Sequence, residues 1–160
     1  MTRGEVIIEN YLKWRKNNKN KVLKTEIWID FEFEGVKITG KVDWIEKNSN
    51  GEFEVVDFKT GKSAQSQNKV EEGLELYIYA KGIKEKKAFG KLPVKGSLYF
   101  IEADKQVTID LDEKKVKDTF DGKIKDLIKK IMAEEFEPTP DSFECGRCKD
   151  LDICDAGQSV

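Results

Sequence analysis

Three side chains in one stretch of this sequence are of types that could do chemistry together. In Glu54-Val-Val-Asp-Phe-Lys59, Asp57 and Lys59 lie two residues apart, so an extended strand projects both from the same face. Asp43 lies upstream, in Lys41-Val-Asp-Trp44. A hairpin closed by the three-residue loop Ser49-Asn50-Gly51, with the glycine left-handed, makes residue 48 face 52 and residue 43 face 57. Asp43 then stands opposite Asp57, while Val42, Trp44, Val56 and Phe58 turn to the other face. A two-residue Asn-Gly turn would slip the register by one and send Asp43 to the wrong side. Opposed carboxylates repel unless a cation lies between them. A hard divalent ion such as Mg²⁺ or Mn²⁺ suits that arrangement and keeps water free for hydrolysis. Lys59 beside them could hold the attacking water or stabilise charge on a phosphate. The same residues also suit a plain surface hairpin with scattered charges, and Asp-x-Lys alone does not separate the two readings.

A second group sits at the C-terminal end. Cys145, Cys148 and Cys154 all fall within the last sixteen residues. Thiolates spaced Cys-x₂-Cys-x₅-Cys favour a soft metal, either Zn²⁺ or an iron–sulfur cluster. Asp152 and Asp155 are close enough in sequence to complete a mixed Zn²⁺ set, and reduced thiols without metal are the alternative. An odd cysteine count argues against a disulfide framework. Histidine is absent. Acid–base chemistry near neutral pH therefore falls to carboxylates, lysine, cysteine or water on a metal.

The elements that must position these groups belong to a chain of 160 residues, long enough for one domain with a core of its own. Apolar and charged residues each make up 38%, and 29 basic side chains nearly balance 31 acidic ones. This excludes a uniformly basic nucleic-acid binder. It leaves room for a local basic channel, because lysines cluster, as at Lys84, Lys86, Lys87 and Lys91. No stretch approaches the roughly 18 apolar residues of a membrane span, and the start lacks the apolar core of a signal peptide. A cytoplasmic setting is expected.

Residues 4–17 read as a helix with a broad apolar face of Ile7, Ile8, Tyr11, Leu12 and Trp14. Strands are expected over 22–34, 36–47 and 52–60, separated by Gly35 and Ser49-Asn50-Gly51. A helix over about 68–84 follows, then strands over 94–103 and 106–111 joined by a tight turn at Asp104-Lys105. A long helix over about 112–135 carries Val116, Phe120, Ile124, Leu127, Ile128 and Ile131. The order α-β-β-β-α-β-β-α predicts an α/β or α+β sandwich, with a mixed sheet containing a three-strand meander flanked by helices. The core is expected over 1–135 and a cysteine-containing tail over 136–160.

The runs Ile38-Thr-Gly-Lys-Val-Asp-Trp-Ile45 and Val55-Val-Asp-Phe-Lys-Thr-Gly-Lys62 resemble the RecB-like nuclease domains of the PD-(D/E)XK superfamily. Those domains have a "G-x-(I/V)-D" strand and a "(V/I)-D-(Y/F)-K-T-G" strand on a restriction-endonuclease-like core. They occur in RecBCD and AddAB helicase–nucleases and in CRISPR-adaptation nucleases. The resemblance implies that Asp43, Asp57 and the Phe58 carbonyl bind Mg²⁺ or Mn²⁺ and that Lys59 assists the attacking water. Glu26 matches a glutamate of structural role in the first strand. Glu75-Leu-Tyr-Ile-Tyr79 occupies the place of the family's "Q-L-x-x-Y", with glutamate for glutamine. Residues 75 and 79 lie one helical turn apart and can face one site, but Glu75 cannot donate as an amide does.

The cysteine spacing, with Phe136-Glu-Pro138 upstream, resembles the last three ligands of the family's iron–sulfur nucleases, implying a 4Fe–4S cluster in the full-length protein. The fourth cysteine and the upstream catalytic ligand of those proteins have no match here, although Glu5 and Glu9 are formally available. A C-terminal fragment is therefore expected. The implied function is a DNA nuclease, exonuclease or endonuclease, attached to a helicase or another subunit of a repair complex. The alternatives are a nuclease-fold module that binds DNA or a partner without cutting, or a metal-stapled structural domain.

Overall fold

A three-residue turn decides the hairpin register. The Gly51 N–H donates to the Asn48 carbonyl and the Asn48 N–H to the Glu52 carbonyl, each at 3.0 Å. Gly51 takes φ +82°, which glycine adopts without steric cost. The Asn48 side-chain oxygen accepts from the backbone N–H groups of Asn50 and Glu52 and locks the turn. From it, β2 (Val36–Lys47) and β3 (Phe53–Lys59) pair as Lys47↔Phe53, Glu46↔Glu54, Ile45↔Val55 and Trp44↔Val56. This is the register counted from Ser49-Asn50-Gly51.

The computed structural model describes residues 2–159. Before the hairpin come α1 (Arg3–Asn17) and β1 (Lys21–Phe33). After it follow α2 (Gln67–Glu72), α3 (Glu75–Glu85), β4 (Lys95–Phe100), β5 (Lys105–Asp110) and α4 (Glu113–Thr119). The strands form one sheet in the order β1-β2-β3-β4-β5, antiparallel except for the parallel step from β3 to β4. Parallel neighbours need a crossover, which α2 and α3 supply. The result is the expected mixed sheet flanked by helices, of α/β type.

On one face, α1 starts from a capping box in which Thr2 and Glu5 exchange side-chain and backbone bonds. Its Ile7, Tyr11 and Trp14 pack on Trp44, Val56, Tyr99 and Ile101, and Trp14 stacks on Tyr99 at 5.3 Å. The apolar face is narrower than the sequence suggests. Ile8 and Leu12 are 61% and 60% exposed, because Ile7, Tyr11 and Trp14 already fill the stripe at spacings of four and three. On the other face, α3 buries Leu76, Tyr79, Ala80 and Ile83. Gly40 of β2 admits the Tyr79 ring, whose Cε1 would lie 3.4 Å from an added Cβ. The Phe120 ring lies against Phe33 and Phe31, with centroids 5.0 and 5.8 Å away.

Two expected helices are divided. The segment over 68–84 is α2 and α3, because Gly73 adopts an extended conformation (ψ 157°) that ends α2. The segment over 112–135 comprises α4, a π-turn over Phe120–Ile124, and α5 (Lys125–Met132). Val116, Phe120 and Ile124 recur every four residues, a stride that drifts by about 40° per step on an α-helix. A wider turn reduces the drift and keeps all three buried. The strand expected over 94–103 stops at Phe100, since the chain turns through 101–104 with Asp104 at φ +46°.

The chain divides into two compact units, Met1–Lys125 and Asp126–Val160. The first holds the sheet, and the second includes α6 (Ser142–Cys145) and two short 3₁₀ turns, at Leu151–Ile153 and Gly157–Ser159.

Helix and sheet approach closely at Gly82 of α3. A Cβ there would lie 2.4 Å from Ile29 Cδ1 and 2.8 Å from Ile29 Cβ, and Ile29 is fully buried. Gly82→Ala should therefore destabilise by about 1–3 kcal/mol despite alanine's better helix propensity. Urea unfolding checks this, and an unchanged or raised midpoint would show that Ile29 can yield.

Candidate active site

The paired ladder of β2 and β3 ends at Trp44↔Val56. Beyond it the Phe58 N–H donates to the Asp43 side chain (Oδ2, 3.0 Å) instead of to a β2 carbonyl. The strands part here, and the Asp43 carboxylate closes the fork. The fork lies at the C-terminal end of β3, whose other neighbour is the parallel β4. Open α/β sheets place ligands at such an end, where the connections diverge.

Asp57, the next residue of β3, is 4% exposed. Its Oδ1 lies 3.2 Å from the Tyr79 hydroxyl, which is also 3.2 Å from Glu75 Oε1, so one hydroxyl serves two carboxylates. Asp57 Oδ2 lies 2.7 Å from the Lys59 ammonium, off the line of a directed hydrogen bond, and is buried with no hydrogen-bond donor. Lys59 Nζ donates to Glu75 Oε1 at 2.8 Å and lies 2.8 Å from Oε2. Thus β2 supplies Asp43, β3 supplies Asp57 and Lys59, and the first turns of α3 supply Glu75 and Tyr79. The break at Gly73 starts α3 at Glu75 and brings its first two turns to the site.

The electrostatics follow from burial. Burial pushes the Asp57 carboxyl above its ordinary range, Lys59 pulls it back, and Glu75 and Asp43 push it further up. Burial pushes the Lys59 ammonium down, but Asp57 and Glu75 outweigh it and hold the lysine above its usual value. Tyr79 is raised by burial and by both carboxylates, so it stays a donor. A buried carboxylate with a second carboxylate at the same fork is a hard-oxygen donor set of the kind that fits Mg²⁺ or Mn²⁺. Among the described residues, no three acidic or thiol side chains are already gathered into a metal cage.

The sequence reading brought together Asp43, Asp57, Lys59, Glu75 and Tyr79, and the structure gathers all five, with Phe58 tied to Asp43 through its N–H. It missed Arg3. This residue donates to the Thr60 carbonyl through Nη2 and to Glu102 through Nε, both at 2.7 Å, and so fixes the chain just after Lys59. No local pattern marks a contact across 57 residues. Glu26 stands opposite the stretch of β2 that carries Asp43 and pairs with Lys41 at 2.9 Å.

In the second unit the three thiols are free, and all line one cavity of about 580 Å³ together with Pro138, Pro140 and Gly157. The Asp141 and Gly157 N–H groups lie 3.4 Å from the sulfurs of Cys145 and Cys154 as donors. A Cβ on Gly157 would sit 3.4 Å from Cys154 Sγ and 3.5 Å from Cys145 Sγ. This glycine leaves the space between two sulfurs open, and the sulfur donor set fits a soft metal. Asp152 and Asp155 are not among the cavity's lining residues, whereas Glu144 is.

The family described as the PD-(D/E)XK nuclease superfamily matches residues 2–155. The crystal structure of SSO0001 is similar to this chain with a TM-score of 0.54 and 21% identity. The match covers 96% of this chain and 68% of that one, and the likeness concerns the fold. No curated protein matches the chain. No helix among the described residues is long and apolar enough to cross a membrane.

The raised Asp57 carboxyl has a consequence for metal-free protein. A carboxyl held above its unfolded value contributes stability at low pH and loses it as pH rises through the folded value. Asp57→Asn carries no such titration, so its stability relative to wild type should climb with pH and then level off. Denaturant unfolding in a chelator across pH 4–8 measures this. A variant that loses ground as pH rises would mean that Lys59 favours the carboxylate more than burial penalises it.

Proposed function

The chain belongs to the PD-(D/E)XK nuclease superfamily, and from that premise we propose that it is a RecB-like, metal-dependent DNA nuclease domain. The observation that carries this reading is Asp57. Its buried Oδ2 meets the Lys59 ammonium at 2.7 Å, off the line of a directed hydrogen bond, and Asp43 lies at the same strand fork. Asp43, Asp57 and the Phe58 carbonyl would hold Mg²⁺ or Mn²⁺. When bound, the ion supplies Lewis-acid stabilisation of phosphate charge and lowers the pKa of water.

The rest falls to the chain's own groups. Lys59, kept cationic by Asp57 and Glu75, positions the attacking water and stabilises charge on the phosphate. Tyr79 keeps its proton and orients Asp57 and Glu75 by sharing that proton between them. Glu75 stands where relatives carry an amide, so it accepts from Lys59 and Tyr79. DNA would be held mainly through its phosphates by surface lysines, giving salt-sensitive and weakly sequence-specific binding.

The nuclease part would span residues 1–135, and 136–160 a cysteine tail in which Cys145, Cys148 and Cys154 would hold an iron–sulfur cluster in the full-length protein, or Zn²⁺ in its place. The resemblance to helicase–nucleases supports a helicase or other repair subunit as partner. A second reading, a nuclease fold that binds without cutting, is favoured by one observation. Lys59 is already neutralised between two carboxylates at 2.7 and 2.8 Å.

Cleavage of end-labelled DNA with Mg²⁺ or Mn²⁺ separates the two. Lys59→Ala should lower the rate by on the order of 10²–10³-fold and leave DNA affinity nearly unchanged, because Asp57 and Glu75 already neutralise this ammonium. DNA binding without metal-dependent cleavage by the wild type would establish the second reading. In the tail, Gly157→Ala should lower the iron or zinc bound per chain under anaerobic purification, because the added methyl would crowd Leu151 beside two of the sulfurs. Metal analysis with the absorption spectrum reads this, and unchanged loading would remove that cavity as the metal site.

A further inference from the structure

Behind the Lys59–Glu75 pair lies a second cavity, of about 310 Å³. Lys59 and Glu75 form the wall it shares with the candidate active site. Its floor is apolar and well packed: Val70, Leu76 and Leu98 are 3%, 2% and 6% exposed. Its rim carries Gln65, from the loop after β3, and Lys69, from α2. Among the described residues the Lys69 ammonium has no ion-pair partner, and the Gln65 amide has no hydrogen-bond partner.

This combination selects a ligand class. The floor suits the face of a ring. The Gln65 amide offers one acceptor and two donors in a plane, as a base edge requires. Lys69 supplies a point charge for a phosphate. The wall is the lysine already assigned to the reacting phosphate. The volume lies at the small end of ligand sites.

Resting on the nuclease reading above, we propose that this cavity is the subsite for the nucleotide next to the scissile phosphate. Lys69 holds that nucleotide's phosphate, Gln65 pairs with its base edge, and Val70, Leu76 and Leu98 receive its ring. Lys69 and Gln65 then set affinity and base preference without entering the bond-breaking step. Both residues are exposed and their side chains make no hydrogen bond or ion pair among the described residues, so replacing them should leave the fold intact.

The test uses a short DNA oligonucleotide in two measurements. Binding is followed by fluorescence anisotropy in a chelator at several salt concentrations, and cleavage is followed with Mn²⁺. Lys69→Ala should raise Kd and KM about tenfold, change kcat by less than about twofold, and reduce the salt slope by about one ion. Lys69→Arg should restore most of the affinity. Gln65→Ala should raise KM several-fold for some bases and little for others. Wild-type Kd and KM in both alanine variants would overturn the subsite while leaving the nuclease reading intact. If the wild type binds DNA but never cleaves it, the catalytic reading fails, and the Kd comparison alone decides the subsite. No DNA binding by the wild type would overturn both.

Discussion

The arrangement depends on one interaction, the contact between the buried Asp57 carboxylate and the Lys59 ammonium. An unpaired carboxylate at this depth would cost several kcal/mol or simply take up a proton. Lys59 reduces that cost through an ion pair of 2.7 Å that lies off the line of a directed hydrogen bond. Glu75 in turn holds the lysine, and Tyr79 ties the two carboxylates together. Two elements, β3 and α3, meet at this point, and displacing either breaks a charge contact. The cluster therefore links the packing of α3 on the sheet to the electrostatics of the fork.

The fold supplies this cluster through one topological event. An all-antiparallel sheet could have continued β3 into another hairpin. The parallel step to β4 instead sends the chain through α2 and α3 and returns Glu75 and Tyr79 over the end of β3. The packing that holds α3 there is close: Gly82 allows near contact with Ile29, and Gly40 admits the Tyr79 ring. On the opposite face, α1 secures the outer end of the same strands. Arg3 bridges Thr60 and Glu102, and Asn10 donates to the Ile101 carbonyl.

What was legible in the sequence was local. The hairpin register followed from the three-residue loop Ser49-Asn50-Gly51 with its left-handed glycine, because turn geometry fixes pairing over the next several residues. The same-face placement of Asp57 and Lys59 needed only strand alternation, and that of Glu75 and Tyr79 only helical spacing. Contacts decided by tertiary packing were not legible. The fork, where Asp43 takes the Phe58 N–H, depends on strands that part. The exposure of Ile8 and Leu12 depends on how much sheet α1 has to cover. The π-turn at Phe120–Ile124 reconciles a four-residue stride with a helix, and apolar spacing alone does not announce it. Gly73 was visible as a residue, but its extended conformation was decided by the two helices on either side.

The first strand has a consequence of a different kind. β1 is thirteen residues long and lies at the outer edge of the sheet, where one row of backbone donors and acceptors has no strand beside it. An edge of that length is a template for a second chain and hence for aggregation. Glu26 interrupts it. It takes φ +51° between the paired positions Thr25↔Trp44 and Ile27↔Val42, opposite the stretch of β2 that carries Asp43. A left-handed residue in mid-strand turns the ribbon away from the straight course that an incoming strand needs. Lys24 and Asp30, exposed to either side, add charge along the same edge. The bend across from Asp43 thus also serves solubility, keeping a long open edge from becoming an interface.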